Sequence, residues 1–160
     1  MQELIARAER IAVLLKSRRE TVTVAESSTG GLISAALLGV AGASSYFVGG
    51  AVVYTQTARR ALLDIPDSAM AGLRASTEAY ALLLGRTART RLGAAWALAE
   101  TGATGPTGNR YGDAAGHSCI AVVGASERAI TLETGSADRL ANMQAFAVAA
   151  LDLMESVLRG

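Results

Sequence analysis

Three short stretches carry the residue types and spacing from which a binding or catalytic site could be built. The first is Ala25-Glu26-Ser27-Ser28-Thr29-Gly30-Gly31. A β-rich run, Thr21 to Ala25, ends here in hydroxyl residues and two glycines before a helical run begins, so the turn offers backbone N–H groups at a helix start. Unpaired amides and the helix dipole favour an anion, and glycine lets it approach the backbone closely. Ser27 falls at the C-terminal end of the strand, where open α/β sheets place their ligands. The plainer alternative is a capped turn in which Ser28 or Thr29 caps the helix and Gly30 serves packing. The stretch is neither a Walker motif nor a GxGxxG fingerprint, so those nucleotide-binding readings do not transfer.

The second stretch is Thr101 to Gly112, TGATGPTGNRYG, which follows another strand. Its glycines, Gly102 and Gly105 among them, and its proline suit a loop that wraps a ligand, or one that simply crosses solvent. If the two strands run parallel, both loops open on one sheet edge and converge on a pocket. The third stretch is Tyr54-Thr55-Gln56-Thr57-Ala58-Arg59-Arg60, where paired arginines suit a phosphate or carboxylate, or form a solvated helix start. His117 and Cys119 lie two apart on one strand and share a face, a pattern that reads as structural. Trp96 and Tyr80 read as packing, and Arg139 can reach a ligand from the start of the last helix.

These stretches need a scaffold, and the chain of 160 residues is long enough for one domain, 1–160, with its own core. Hydrophobic residues make up 51% but aromatics only 4%, so that core is built from Ala, Leu, Val and Ile. No apolar run approaches the roughly 20 residues that cross a bilayer, and charges at Glu3, Arg7, Glu9 and Arg10 break up any signal peptide, which predicts a cytoplasmic address without membrane contact. Net charge is +1 with scattered basic residues, which argues against a nucleic-acid partner. One cysteine and one histidine exclude an internal disulfide and a Cys/His zinc site, so neither metal nor cofactor is expected. Of the 15 basic residues only Lys16 is a lysine.

Leu4, Ile5, Ala8, Ile11, Ala12 and Leu15 recur at helical spacing and predict an amphipathic first helix. Further helices are expected over 30–38, 57–63, 76–92 and 138–158, and strands over 21–25, 47–54, 94–100, 117–123 and 129–134, the last two as a hairpin. Early alternation of strand and helix with a late hairpin predicts an α/β fold. The expected architecture is a three-layer α/β/α sandwich around a mixed, mostly parallel sheet of about five strands.

Taken together, the stretches resemble the CinA C-terminal domain family, the nicotinamide-nucleotide amidohydrolases. The family's first motif is similar to AES-C-TGG and reads Ala25-Glu26-Ser27-Ser28-Thr29-Gly30-Gly31 here. Its second, a small-residue turn followed by F-x-G-G and then Y-S-N-x-A-K, is matched by Gly42 to Gly50, with Phe47, Gly49 and Gly50, and by Tyr54 to Arg59. Its third, T-G-x-A-G-P, is matched by Thr101-Gly102-Ala103-Thr104-Gly105-Pro106.

The resemblance implies hydrolysis of the carboxamide of nicotinamide mononucleotide to nicotinic acid mononucleotide and ammonia. It places the nucleophilic serine at Ser27 and the lysine of a serine–lysine dyad at position 59, with Tyr54 and Thr101 lining the site. Ser28, Thr29, Gly30, Gly31 and Gly49 are then expected around substrate or phosphate, together with Gly102, Gly105 and Arg139. Position 59, however, is Arg. A guanidinium holds its proton to about pH 12 and above, so it can bind substrate or steady an anion but does not take a serine's proton. Two expectations follow: an amidohydrolase using Ser27, or a binding or regulatory module for a pyridine nucleotide or another phosphorylated metabolite. A homo-oligomer, dimer or higher, and the stand-alone form of the family are also expected.

Overall fold

The computed structural model describes residues Met1–Gly160. The first helix, α1 (Gln2–Arg18), buries Leu4, Ala8, Ile11, Ala12 and Leu15, the stripe the spacing predicts. Each buried Leu or Ile there is worth about 1.5–3 kcal/mol. The strand β1 (Val22–Glu26) is buried along its whole length, as a central strand covered on both faces must be. It leads into α2 (Leu32–Leu38), then β2 (Phe47–Val52) and α3 (Gln56–Leu63). The long helix α4 (Glu78–Leu92) precedes β3 (Trp96–Ala103), the hairpin β4 (His117–Val123) and β5 (Glu127–Glu133), and the closing α5 (Arg139–Arg159).

The sheet order is β2-β1-β3-β4-β5. Strands β2, β1 and β3 are parallel, while β4 and β5 join antiparallel. On one face α1, α2 and α5 cover Val22, Val24, Leu98, Ile120 and Val122 in the main core. On the other face Leu84 and Ala88 of α4 and Leu63 of α3 pack with Ala25 and Ala99. This is the expected three-layer sandwich. Gly85 lets α4 sit close to the sheet, since a Cβ there would meet Val123 Cγ2 at 3.0 Å.

Strand β3 runs to Ala103, three residues past the expected Glu100, because Thr101 and Gly102 continue the ladder opposite Cys119 and Ser118. Gly102 is required there, since a Cβ would lie 2.5 Å from the carbonyl oxygen of His117. The chain leaves β1 toward α2 on one face and leaves β2 toward α3 and α4 on the other. A crevice therefore opens at the C-terminal ends of the parallel strands.

Candidate functional site

Two glutamates close the strand ends Val22–Glu26 and Trp96–Ala103 from within. Both Glu26 and Glu100 are fully buried, so both carboxylates need donors, and the turn after β1 supplies them. Glu100 accepts from the backbone N–H of Ser27 at 3.1 Å and of Thr29 at 3.0 Å. The hydroxyls of Ser28 and Ser118 also donate to it, while Thr29 Oγ1, which gives its one proton to Glu26, lies 3.1 Å away. Glu26 accepts from the first amides of α2, Ile33 at 3.2 Å and Ser34 at 3.0 Å, and from the hydroxyls of Thr29 and Ser34. Burial pushes the Glu100 carboxyl above the usual range, and the bonds from Ser28, Thr29 and Ser27 pull it back.

This corrects the expectation of an open anion cradle. The turn's amides and the first amides of α2 are already engaged, and by the chain's own carboxyl groups. The helix is not capped by Ser28 or Thr29 either: its N-cap is Gly31 at φ 102°, with no side-chain cap. A left-handed cap before the first turn favours glycine, and the two hydroxyls are committed to the carboxylates instead. Within residues 27–30 the N–H of Ser28 is the one with no partner in the chain; Gly30 donates to the carbonyl of Ser27.

Beside this turn lies a cleft of about 410 Å³. Ser27, Tyr54, Arg59, Thr101 and Gly102 line it, so residues from three separate stretches meet in one place. Arg59 is only 4% exposed. Its Nε donates to the carbonyl of Ile65 at 3.3 Å and its terminal nitrogen pairs with Asp67. Tyr80 adjoins it, and burial raises that phenol while Arg59 opposes the rise. A second hollow of about 270 Å³ shares Tyr54, Gly102 and Asn109 with the first and is bordered by Ser28, Gly105 and Arg139. Arg139 bridges the two sides, donating to the Gly105 carbonyl at 2.7 Å and to the Tyr54 hydroxyl at 3.2 Å.

Four residues expected at the site stand elsewhere. Thr29 is buried between Glu26 and Glu100. Gly30 and Gly31 face Met143 and Val52. Gly49 sits within β2, where its carbonyl accepts from the Thr23 hydroxyl at 2.8 Å. Their motif places them in the turn and strand that support the cleft rather than on its wall.

Of the other lining residues, Ser76, Met70 and Tyr80 lie outside the three candidate stretches, whereas Gln56 and Asn109 to Tyr111 fall within them. Tyr80, read as packing, lines the cleft, as do Ser76, Met70 and Gln56. The loop after β3 contributes Asn109, Arg110 and Tyr111. It is tied down at Asp113, which accepts from Arg74 Nη2 at 3.0 Å and Asn109 Nδ2 at 2.8 Å, so Arg74 holds that carboxyl below its usual range.

Comparison with known proteins gives one consistent picture. The family model described as the CinA C-terminal domain matches residues 5–158. A CinA-like protein of Salinibacter ruber is 36% identical over 138 residues, covering 86% of this chain and 34% of that protein. The chain thus spans about a third of the length of that relative. Among solved structures, a CinA superfamily protein from Klebsiella pneumoniae superimposes with a TM-score of 0.90 at 26% identity, covering 98% of each chain. A competence/damage inducible protein from Agrobacterium tumefaciens gives 0.89 at 28% identity, covering 99% of this chain and 96% of that one. No helix is long and apolar enough to cross a membrane.

Proposed function

Because the chain belongs to the CinA C-terminal domain family, we propose that its cleft binds a nicotinamide mononucleotide and hydrolyses the carboxamide through Ser27. The observation that carries this reading is the convergence of Ser27, Tyr54, Arg59 and Thr101 on one cleft. Its volume of about 410 Å³ lies within the range of about 300–1,000 Å³ in which small-molecule sites fall. The phosphate lies in the adjoining hollow, where Arg139 supplies the charge.

The Ser27 hydroxyl adds to the amide carbon, its proton passes by way of solvent in the cleft to the amide nitrogen, and the carbonyl oxygen becomes an oxyanion. The unpartnered N–H of Ser28, the residue after the nucleophile, is the donor available to it. Collapse breaks the C–N bond, ammonia departs with the added proton, and water then releases the carboxylate from Ser27. The side chain at position 59 does not serve as the base, because a guanidinium keeps its proton. General-base assistance is worth about 10²–10⁴-fold, so turnover is slow.

A second reading, a binding or regulatory module with the same ligand, is favoured by the pairing of Arg59 with Asp67 and the Ile65 carbonyl, which commits that side chain to structure. Ammonia release from nicotinamide mononucleotide, measured beside calorimetric binding, separates the two. Turnover abolished by Ser27→Ala supports the hydrolase, and binding without turnover supports the module. If the protein neither binds nor hydrolyses the nucleotide, both readings fall.

A further inference from the structure

Three non-glycine residues have a left-handed backbone: Arg19 at φ 55°, Asp64 at φ 55° and Ser76 at φ 57°. The first two are ordinary helix ends, for each is the C-cap of its helix. Ser76 ends no helix. It precedes Thr77, whose side chain caps α4 by accepting from the Tyr80 N–H. The helix expected from Ser76 therefore begins two residues later, at Glu78. A serine held in this conformation needs surroundings that impose it, and such residues gather where a ligand is gripped.

Those surroundings are visible. The Ser76 N–H donates to Thr101 Oγ1 at 3.2 Å, and its carbonyl faces Nε2 of His117 at 2.9 Å. The other ring nitrogen, Nδ1, faces a carboxylate oxygen of Glu133, the cross-strand neighbour of His117. Both of these oxygens accept only, and one imidazole donates from both nitrogens only when protonated. The Ser76 hydroxyl itself makes no hydrogen bond in the chain, yet no fully buried side-chain oxygen lacks a partner. That hydroxyl therefore reaches solvent, and Ser76, 4% exposed, lines the cleft that Ser27 lines.

Resting on the reading of the cleft as a nucleotide site, we propose that Ser76 is a ligand-contacting residue held in place by the charged His117–Glu133 pair, so that ligand affinity falls as His117 loses its proton. A neutral ring must turn a lone pair toward either Glu133 or the Ser76 carbonyl, and the clamp opens. Several groups face this ring. Glu133 comes from β5, and Asp113, 3.9 Å from Nε2 and itself paired with Arg74, comes from the preceding loop. Cys119 lies on its own strand with Sγ 3.6 Å from Nε2, and burial pushes that thiol up, keeping it neutral. Glu78 of α4 reaches the same corner through the Thr131 hydroxyl.

Burial alone lowers the basicity of His117, but the bonds to Glu133 and Ser76 and the nearby Asp113 raise it above the ordinary value. A raised folded-state value means the clamp is complete below about pH 6.5, the ordinary histidine value, and is lost as the pH climbs through the folded one.

The chain's one histidine makes the test clean. Calorimetric titration with nicotinamide mononucleotide from pH 5.5 to 9 is run on wild type, Ser76→Ala, Ser76→Gly and His117→Gln, each checked by thermal melting. Both Ser76 variants bind roughly 5- to 10-fold more weakly at low pH, the loss of one hydroxyl contact. Ser76→Gly does so with a relaxed backbone and an unchanged fold. His117→Gln loses the pH dependence that wild type shows. Wild-type affinity in both Ser76 variants, or the same pH curve in wild type and His117→Gln, overturns the proposal. If wild type does not bind the nucleotide, the functional reading falls and the clamp is judged on the free protein by NMR. There the Ser76 amide resonance follows the His117 titration, and an amide that stays still overturns the clamp.

Discussion

Replacing Arg59 by Lys tests directly whether the side chain at position 59 limits the proposed hydrolysis. In the native protein the guanidinium reaches the Ile65 carbonyl with Nε at 3.3 Å and Asp67 with a terminal nitrogen, and its side chain is 5% exposed. An ammonium is a single point of charge on a shorter reach, so it cannot keep both bonds. The Ile65 bond is lost at about 0.5–1.5 kcal/mol of stability. A lysine, unlike an arginine, can shed its proton when burial favours the neutral form. Asp67 works against this, because a neighbouring carboxylate stabilises the ammonium. Arg60 also bonds Asp67, through Nε at 3.1 Å, and the two arginines hold that carboxyl below its usual range. The informative protein is therefore Arg59→Lys combined with Asp67→Asn.

Restoring a base recovers about 10²–10⁴-fold in kcat, a barrier lowered by about 2.7–5.4 kcal/mol. Arg59→Lys alone gains less, and the double variant more. The assay is ammonia release from nicotinamide mononucleotide as a function of pH, with Ser27→Ala in the same background as control. The gain must appear in kcat, rise with pH, and vanish with Ser27→Ala. A double variant that melts normally, binds the nucleotide and gains nothing refutes the argument that the side chain at position 59 limits the chemistry.

Two further outcomes follow from the same geometry. Glu100→Ala leaves the buried amides of Ser27 and Thr29 without an acceptor, at about 1–3 kcal/mol each, so about 2–6 kcal/mol of stability is lost. At about 2–4 °C per kcal/mol the melting temperature falls by at least about 4 °C, and a shift under about 1 °C in calorimetry would show that the turn does not depend on this carboxylate. Arg139→Ala removes the charge at the second hollow and weakens nucleotide binding by roughly 10- to 150-fold, one charge-assisted bond of about 1.5–3 kcal/mol. Nicotinamide riboside, which lacks the phosphate, binds the variant and wild type alike, and an equal loss for both ligands would place the phosphate elsewhere.

Much of the architecture was legible because period and punctuation agree. The stripe Leu4, Ala8, Ile11, Ala12, Leu15 fixes one face of α1, and all five residues are buried. The mostly apolar runs 94–100 and 117–123 read as strands, and β3 and β4 are buried nearly throughout. Boundaries were less legible where tertiary pairing extends an element. Thr101 and Gly102 look like loop because of the glycines that follow, but the ladder to Cys119 and Ser118 claims them. Ser76 looks like the first residue of a helix, since Ser-Thr-Glu is a helix start; only Thr101 and His117, 25 and 41 residues away, reveal the left-handed turn.

The anion cradle is the instructive case, because the sequence held the means to reject it. The strand Val22–Glu26 and the strand that opens Trp96-Ala97-Leu98-Ala99-Glu100 each carry one carboxylate in an otherwise buried run. A carboxylate in such a place needs several donors nearby, for burying it unpaired costs far more than a turn can lose. The donors that lie within reach of two adjacent parallel strand ends are the amides and hydroxyls of the turn after the first strand. Glu26 and Glu100 therefore predict that the turn is occupied, and the exposed Gly30 with its left-handed φ of 65° serves chain reversal. What the carboxylates leave unclaimed is the Ser28 N–H beside Ser27. By fixing Ser27 from behind through its amide, Glu100 holds at the cleft the serine proposed as nucleophile and leaves the Ser28 N–H free for the proposed oxyanion.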